Sequence, residues 1–366
     1  MIKSNQNKSA LKVQKGIDPP ESISPHIKKG LSHSRERYPM NYYTNGILKG
    51  DRAILSQSIT LIESTLHNDQ MLAQNIIEAC LPFSGKSLRI GITGVPGVGK
   101  STFIEALGFL LVEKYKKKLA VLAIDPSSAR SKGSILGDKT RMEKLSVHSN
   151  AFIRPSPSAG SLGGVAQKTR ESIILCEAAG YDIIFVETVG VGQSETAVHN
   201  MVDFFLLLML AGAGDELQGI KRGIMEMADT IVINKADGDN IHKAQLAKSQ
   251  YANALHLFPK PPSDWVTKTT ICSAISLTGL EEIWEMILDY QQFTKANSYF
   301  IRKREEQNLQ TFNSSLEANL LNRFIADKSV QAKRKVLEKQ ISMQQISPYQ
   351  AANQLTQIFI EKLKAE

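Results

Sequence analysis

The chain has 366 residues, of which 42% are hydrophobic and 22% charged. It is long enough for one large α/β domain with a smaller appendage, and its composition excludes a chain disordered throughout. The net charge of +8 comes from basic residues that are scattered or gathered near the two ends, without the aromatic-interleaved stripe of a nucleic-acid binder, so no nucleic-acid partner is expected.

The longest apolar run, Phe204–Ala211, is too short to cross a membrane. Cys80, Cys176 and Cys272 lie far apart in apolar stretches. They read as reduced core thiols and exclude a disulfide framework or a zinc site. Residues 1–40 are polar and carry Asp18-Pro-Pro20 and Ser24-Pro25, so they read as a loosely ordered arm. The arm lacks the apolar segment of a secretory signal. It is basic but contains Asp18, Glu21 and Glu36, so the expected location is cytoplasmic, with a transit peptide to the mitochondrial matrix as the alternative.

Residues 41–85 form a helical extension: Ile47, Leu48, Ala53, Ile54, Ile59, Leu61 and Ile62 recur at three- and four-residue steps, and a second helix runs from about Asp69 to Cys80. Pro82 and Gly85 break the chain before residues 86–295, where strands alternate with helical stretches. The expected strands are Leu88–Thr93, Leu119–Ile124, Ala151–Arg154, Asp182–Glu187, Phe204–Leu210, Thr230–Asn234 and Thr269–Ser273. They are apolar without period-two alternation, which predicts an α/β fold with a doubly wound, mostly parallel sheet buried on both faces. Ligands of such sheets gather at the carboxyl ends of the strands, where every polar motif below falls. In residues 296–366, Leu309, Phe312, Leu316, Leu320, Leu321 and Phe324 form a helical stripe. Ile346-Ser-Pro348 then starts a last helix, so this end reads as a helical oligomerisation arm.

The first expected strand runs into Gly94, Val95, Pro96, Gly97, Val98, Gly99, Lys100, Ser101 and Thr102, which match the phosphate-binding pattern G-x-x-x-x-G-K-[ST] between a strand and a helix. The glycines let backbone N–H groups turn inward around a phosphate, and the helix N-terminus adds a favourable dipole. Lys100 is expected on the β- and γ-phosphates and the Ser101 hydroxyl on Mg2+. Thr230–Asn234 ends in Asn-Lys-x-Asp. The Asp237 carboxylate can accept from both N1–H and N2–H2 of guanine, a donor pair that adenine lacks, which predicts GTP over ATP. Asn234 would brace the loop and Lys235 lie along the base, while the backbone of Ser273 and Ala274 would meet the guanine O6. Glu187 closes a strand three residues before Gly190, whose N–H is expected on the γ-phosphate. Glu187 is expected in the magnesium shell through water. Asp125, at another strand end, and Asp138, in a Gly-rich stretch, are further candidates for magnesium or catalysis, against strand-end turn or helix N-cap roles. His148, His199 and His242 lack metal-ligand spacing and read as surface or helix residues.

Taken together, Gly94–Thr102, Asp125-Pro-Ser-Ser128, Gly137–Met142, Glu187–Glu195, Ala213–Lys221 and Asn234–Asp237 closely resemble the MeaB/ArgK family over residues 40–340. These GTPases chaperone adenosylcobalamin-dependent methylmalonyl-CoA mutase and include the methylmalonic aciduria type A protein. The resemblance implies a P-loop GTPase fold of the SIMIBI class, to which the nickel-insertion GTPases also belong. It implies a homodimer joined through the C-terminal helices, and slow hydrolysis of GTP to GDP accelerated by the mutase. It also implies loops that gate cofactor loading, with Gln218 and Lys221 contacting the partner, which is methylmalonyl-CoA mutase or a related cobalamin-dependent mutase. None of the seven histidines fits D-x-H-x-x-G, so adenosylcobalamin is expected on the partner and not on this chain. The alternatives are a GTP- or ATP-dependent kinase, as an older family name suggests, and a metal-insertion GTPase, although the His-rich tract of the nickel-insertion enzymes is missing.

Overall fold

The computed structural model describes residues 37–124, 142–155, 162–188, 194–212 and 222–365. Contacts divide the chain after Pro39, and every element below belongs to the second unit. The unit begins with helices α1 (Met40–Leu48), α2 (Arg52–Glu63) and α3 (His67–Cys80). Asp51 caps α2, its carboxylate accepting from the N–H groups of Ala53 and Ile54 at 2.8 and 3.1 Å.

Strands and helices then alternate: β1 (Leu88–Gly94), α4 (Lys100–Glu113), β2 (Leu119–Ile124), α5 (Glu143–Val147), β3 (Ala151–Arg154), α6 (Leu162–Ala178), β4 (Ile183–Thr188), α7 (Ser194–His199), β5 (Phe204–Leu210), α8 (Arg222–Met227), β6 (Thr230–Asn234), α9 (Ile241–Leu255), β7 (Lys268–Ile271) and α10 (Leu280–Ala296). Among the described residues the seven strands form one sheet in the order β3-β2-β4-β1-β5-β6-β7. Every pairing is parallel.

The absence of polar alternation in these strands has a direct cause. In β2, Leu119 and Val121 face one core while Ala120, Leu122 and Ile124 face the other; Ile183 and Phe185 of β4 oppose Ile184 and Val186 in the same way. The first core is closed by α4, α9 and α10. The second is closed by α6 together with Ile47, Leu55, Ile59 and Ile76 of α1–α3, so the N-terminal helices complete the sheet's second face. Each such fully buried aliphatic side chain contributes about 1.5–3 kcal/mol.

Three strands differ in their bounds from the sequence expectation: β1 runs on to Gly94, β4 begins at Ile183 and ends at Thr188, and β7 begins at Lys268 and ends at Ile271. Asp182 stands outside β4, its carboxylate accepting from the Lys118 N–H at 2.8 Å and its carbonyl from the Leu88 N–H at 2.9 Å. Cys272 and Ser273 leave β7 because Ser273 pairs with Thr278 in a tight turn.

Three helices follow: α11 (Tyr299–Ala326), α12 (Lys328–Ser342) and α13 (Pro348–Ala365). Apolar periodicity does not announce α12, because only Val330 and Leu337 of its residues are buried. It is started by Asp327, whose carboxylate accepts from the N–H groups of Ser329 and Val330. Phe324 of α11 meets Phe359 of α13 edge to face, with ring centroids 5.3 Å apart.

Candidate nucleotide-binding site

β4 and β5 follow one another in the chain yet lie on either side of β1, which puts a crevice at the carboxyl end of β1. The stretch Val95–Gly99 turns there into α4. Gly94 must be glycine because a Cβ at that position would lie 2.5 Å from the Leu208 carbonyl oxygen on β5. Gly99, the residue before α4, has φ of 90°, a left-handed conformation that side chains disfavour. The open N–H groups of the first turn of α4 therefore face the loop, as anion binding requires.

The Lys100 ammonium sits inside this turn and donates to the Gly94 carbonyl at 2.9 Å. Burial lowers its pKa, while the carboxylates of Glu187 and Glu195 act in the opposite sense. Ser101 Oγ lies 3.4 Å from Glu187 Oε1 at the end of β4. Glu187 is buried, so a hydroxyl and a carboxylate, both hard oxygen donors of the kind magnesium takes, meet beside the loop. Among the described residues no three His, Cys, Asp or Glu side chains gather around a metal-sized site.

A feature beyond the sequence reading ties the two strand ends together. Ile92 pairs with Glu187, so Thr93 and Thr188 come next in register, and the Thr188 hydroxyl donates to Thr93 Oγ1 at 2.8 Å in a fully buried bond. Neither threonine has a signal in the linear sequence, because the bond exists only once β1 and β4 are known to be neighbours. Glu195, in the first turn of α7, is also buried, at 1% exposure.

The second half of the site comes from β6 and β7. Asn234 donates through Nδ2 to the Val98 carbonyl at 2.9 Å, and its Oδ1 accepts from the Ala274 N–H at 3.3 Å and lies 3.4 Å from Cys272 Sγ. One side chain thus ties the phosphate-loop stretch to the Ser273–Ala274 turn. Lys235, at φ 59°, donates from Nζ to the Gly97 carbonyl at 2.8 Å. Ser273 Oγ donates to the Asp237 carboxylate and accepts from the Ser276 N–H at 3.1 Å. The Ala236 N–H donates to the Cys272 carbonyl at 2.9 Å, which fixes the spacing of the two loops.

The structure therefore brings Gly94–Thr102, Glu187, Asn234, Lys235, Asp237, Ser273 and Ala274 to one edge of the sheet. Asp125, Asp138, Gly190, Gln218 and Lys221 lie outside the described residues. The three histidines singled out in the sequence lie elsewhere: His148 pairs with Glu113 at 3.0 Å, His242 is exposed on α9, and His199 closes α7.

The description methylmalonyl Co-A mutase-associated GTPase MeaB belongs to a family model that matches residues 55–329. A GTPase ArgK of Escherichia coli (strain K12) is 48% identical over 279 residues, 76% of this chain and 84% of the relative. A methylmalonic aciduria type A homolog, mitochondrial, of Mus musculus is 44% identical over 341 residues, covering 90% of this chain and 82% of its own. A crystal structure of a LAO/AO transport system kinase shares the fold with a TM-score of 0.69 at 38% identity, over 87% of this chain and 97% of that one.

Proposed function

The chain belongs to the MeaB family of methylmalonyl Co-A mutase-associated GTPases, and on that premise we propose that it binds and hydrolyses GTP to gate a cobalamin-dependent mutase. The partner is methylmalonyl-CoA mutase or a related acyl-CoA mutase. The nucleotide state would control loading of adenosylcobalamin onto that partner and its protection or reactivation. The observation that carries the reading is the bond from Asn234 to the Val98 carbonyl. It locks the phosphate loop to the base-reading Asp237 and Ser273–Ala274 loops, so phosphate and base are read by one rigid unit.

Within this reading Gly94–Thr102 cradle the phosphates, with Lys100 on the β- and γ-phosphates. Lys100 is partly desolvated, which strengthens its attraction for an anion. Asp237 reads guanine N1–H and N2–H2, Lys235 lies along the base, and the Ser273–Ala274 backbone faces O6. Magnesium, when bound, would supply positive charge that offsets that of the phosphates; Ser101 would hold it directly and Glu187 through water, with Asp125 and Asp138 as further acidic candidates. Gly190 would meet the γ-phosphate, and Gln218 and Lys221 would carry the nucleotide state to the partner. The exposed apolar stripe of α11 supports a homodimer.

No helix among the described residues is long and apolar enough to cross a membrane. We place the protein in the cytoplasm, the mitochondrial matrix being the alternative that the mouse relative's name raises.

The test is turnover of GTP and ATP by the purified chain, alone and with a cobalamin mutase. The proposal expects GTP-selective hydrolysis, accelerated by the mutase. Equal use of ATP, or transfer of the labelled γ-phosphate to an acceptor other than water, overturns it, the latter in favour of a kinase.

A further inference from the structure

At the opposite end of the sheet from the nucleotide site, beside the start of β1, a cleft of about 210 Å³ opens between α6 and α11. Three of its walls carry guanidinium groups, from Arg89, Arg170 and Arg304. Two of these are neutralised from behind. Arg89 binds Glu177 through two bonds of 2.8 and 3.0 Å, and Arg304 binds Asp203 through two bonds of 2.7 Å.

Arg170 differs. Among the described residues it has no carboxylate partner; its one bond runs from Nη2 to the Asn200 carbonyl at 3.2 Å, and its Nε is buried without an acceptor. A guanidinium stays charged under all ordinary conditions, and a half-buried one without a counter-charge is costly. Burial acts on it in that sense, lowering its pKa. A second unmet group lies on the facing helix. Gln307 donates from Nε2 to the Val202 carbonyl at 2.8 Å, which leaves its Oε1 buried without a donor. A native structure rarely leaves two such groups lining one cavity.

We propose that this cleft is a binding site for a small oxyanion, a carboxylate or a phosphate, with Arg170 as its anchor and Gln307 accepting from an O–H or N–H of the same molecule. The cavity has the volume of a small metabolite and is too narrow for a folded partner. Its floor includes Asn200 and Met201, immediately after α7, whose first turn holds Glu195 near Lys100. An occupant therefore touches the far end of an element that begins at the nucleotide site.

The experiment is calorimetric titration of the full chain, saturated with GDP and Mg2+ so that the phosphate loop is filled, with succinate in one arm and inorganic phosphate in the other. Saturable binding of one equivalent in either arm is expected, and the arm that binds identifies the class of anion. Arg170→Gln should weaken binding tenfold or more by removing a charge-assisted pair, with GDP affinity unchanged. Asn308→Asp, which adds a carboxylate at an exposed position on the rim, should also weaken it. Binding of neither probe overturns the proposal, as does undiminished binding by Arg170→Gln. Loss of self-association by Arg170→Gln also overturns it, because a carboxylate of a second copy would then be filling the cleft. Should Arg170→Gln fail to fold, Asn308→Asp decides: undiminished binding by it is a refutation.

Discussion

On the proposed function, Asp237 is the residue on which base selection rests. Its carboxylate would offer two acceptors to the two donors of guanine, and the Ser273 hydroxyl holds it in place. Asp237→Asn would set an amide N–H2 against a guanine donor and leave one polar group unpaired. GTP affinity should then fall about 100-fold or more, while binding of xanthosine triphosphate, which presents an acceptor at the same position, should rise; competition against a fluorescent nucleotide measures both. The proposed roles are legible in the linear sequence because Gly94–Ser101 and Asn234–Asp237 are contiguous stretches with fixed spacing. The Thr93–Thr188 bond and the Asn234–Val98 bond are not, since each joins residues brought together only by strand order.

His199 shows the same limit from another side. Its sequence context marks it only as a helix residue, yet burial, reinforced by the nearby Lys303, depresses its pKa to about 4, with Asn200 partly opposing. The unfolded side chain titrates near ~6.5. Above that value the imidazole is neutral in both states and costs nothing. As pH falls from ~6.5 towards the folded value, the unfolded state takes up a proton that the folded state refuses, so stability is lost by up to about 3 kcal/mol. Urea denaturation across pH 4.5–7 should show this slope, and His199→Gln should flatten it by about one proton.

At the scale of elements, the long helix α11 is fastened to the sheet, among the described residues, by its first turns. Arg304 bridges the Asp203 carboxylate and the carbonyls of Gly85 and Ser87, and Lys303 donates to the Asp203 carbonyl at 2.9 Å. The Asp203 side chain is 1% exposed, so removing its partner strands a buried charge. Arg304→Met should destabilise the fold by about 3–5 kcal/mol in urea denaturation, and Asp203→Asn in the same chain should recover part of the loss. The strands and the apolar stripe of α11 can be read from periodicity. The latch cannot, because Arg304 sits in the basic run Arg302-Lys-Arg304, which looks like any solvated helix face. Nor can α12 be seen there, for its burial is confined to two positions.

At the scale of the whole molecule, the fold divides its work between two ends of one sheet. The candidate nucleotide residues lie at the carboxyl end, and the α11 latch and the arginine-lined cleft at the amino end. Beyond the latch, α11 carries Leu309, Phe312, Leu316 and Leu320 at 64%, 63%, 48% and 57% exposure, an apolar stripe out of place on a lone molecule. Analytical ultracentrifugation should find a dimer at micromolar concentration, and Phe312→Glu with Leu316→Glu should give a monomer that binds GTP undiminished.

The same latch imposes an order on biosynthesis. Arg304 emerges 101 residues after the carboxylate it neutralises. At 5–20 residues per second a ribosome needs about 5–20 s to make that interval. During that time the nascent sheet already contains Asp203 in β5's approach but has no guanidinium to receive it. The sheet can be apolar-complete and still electrostatically unfinished, so its last cooperative step waits for the first turns of α11, and a chain released before Arg304 should fail to hold its fold.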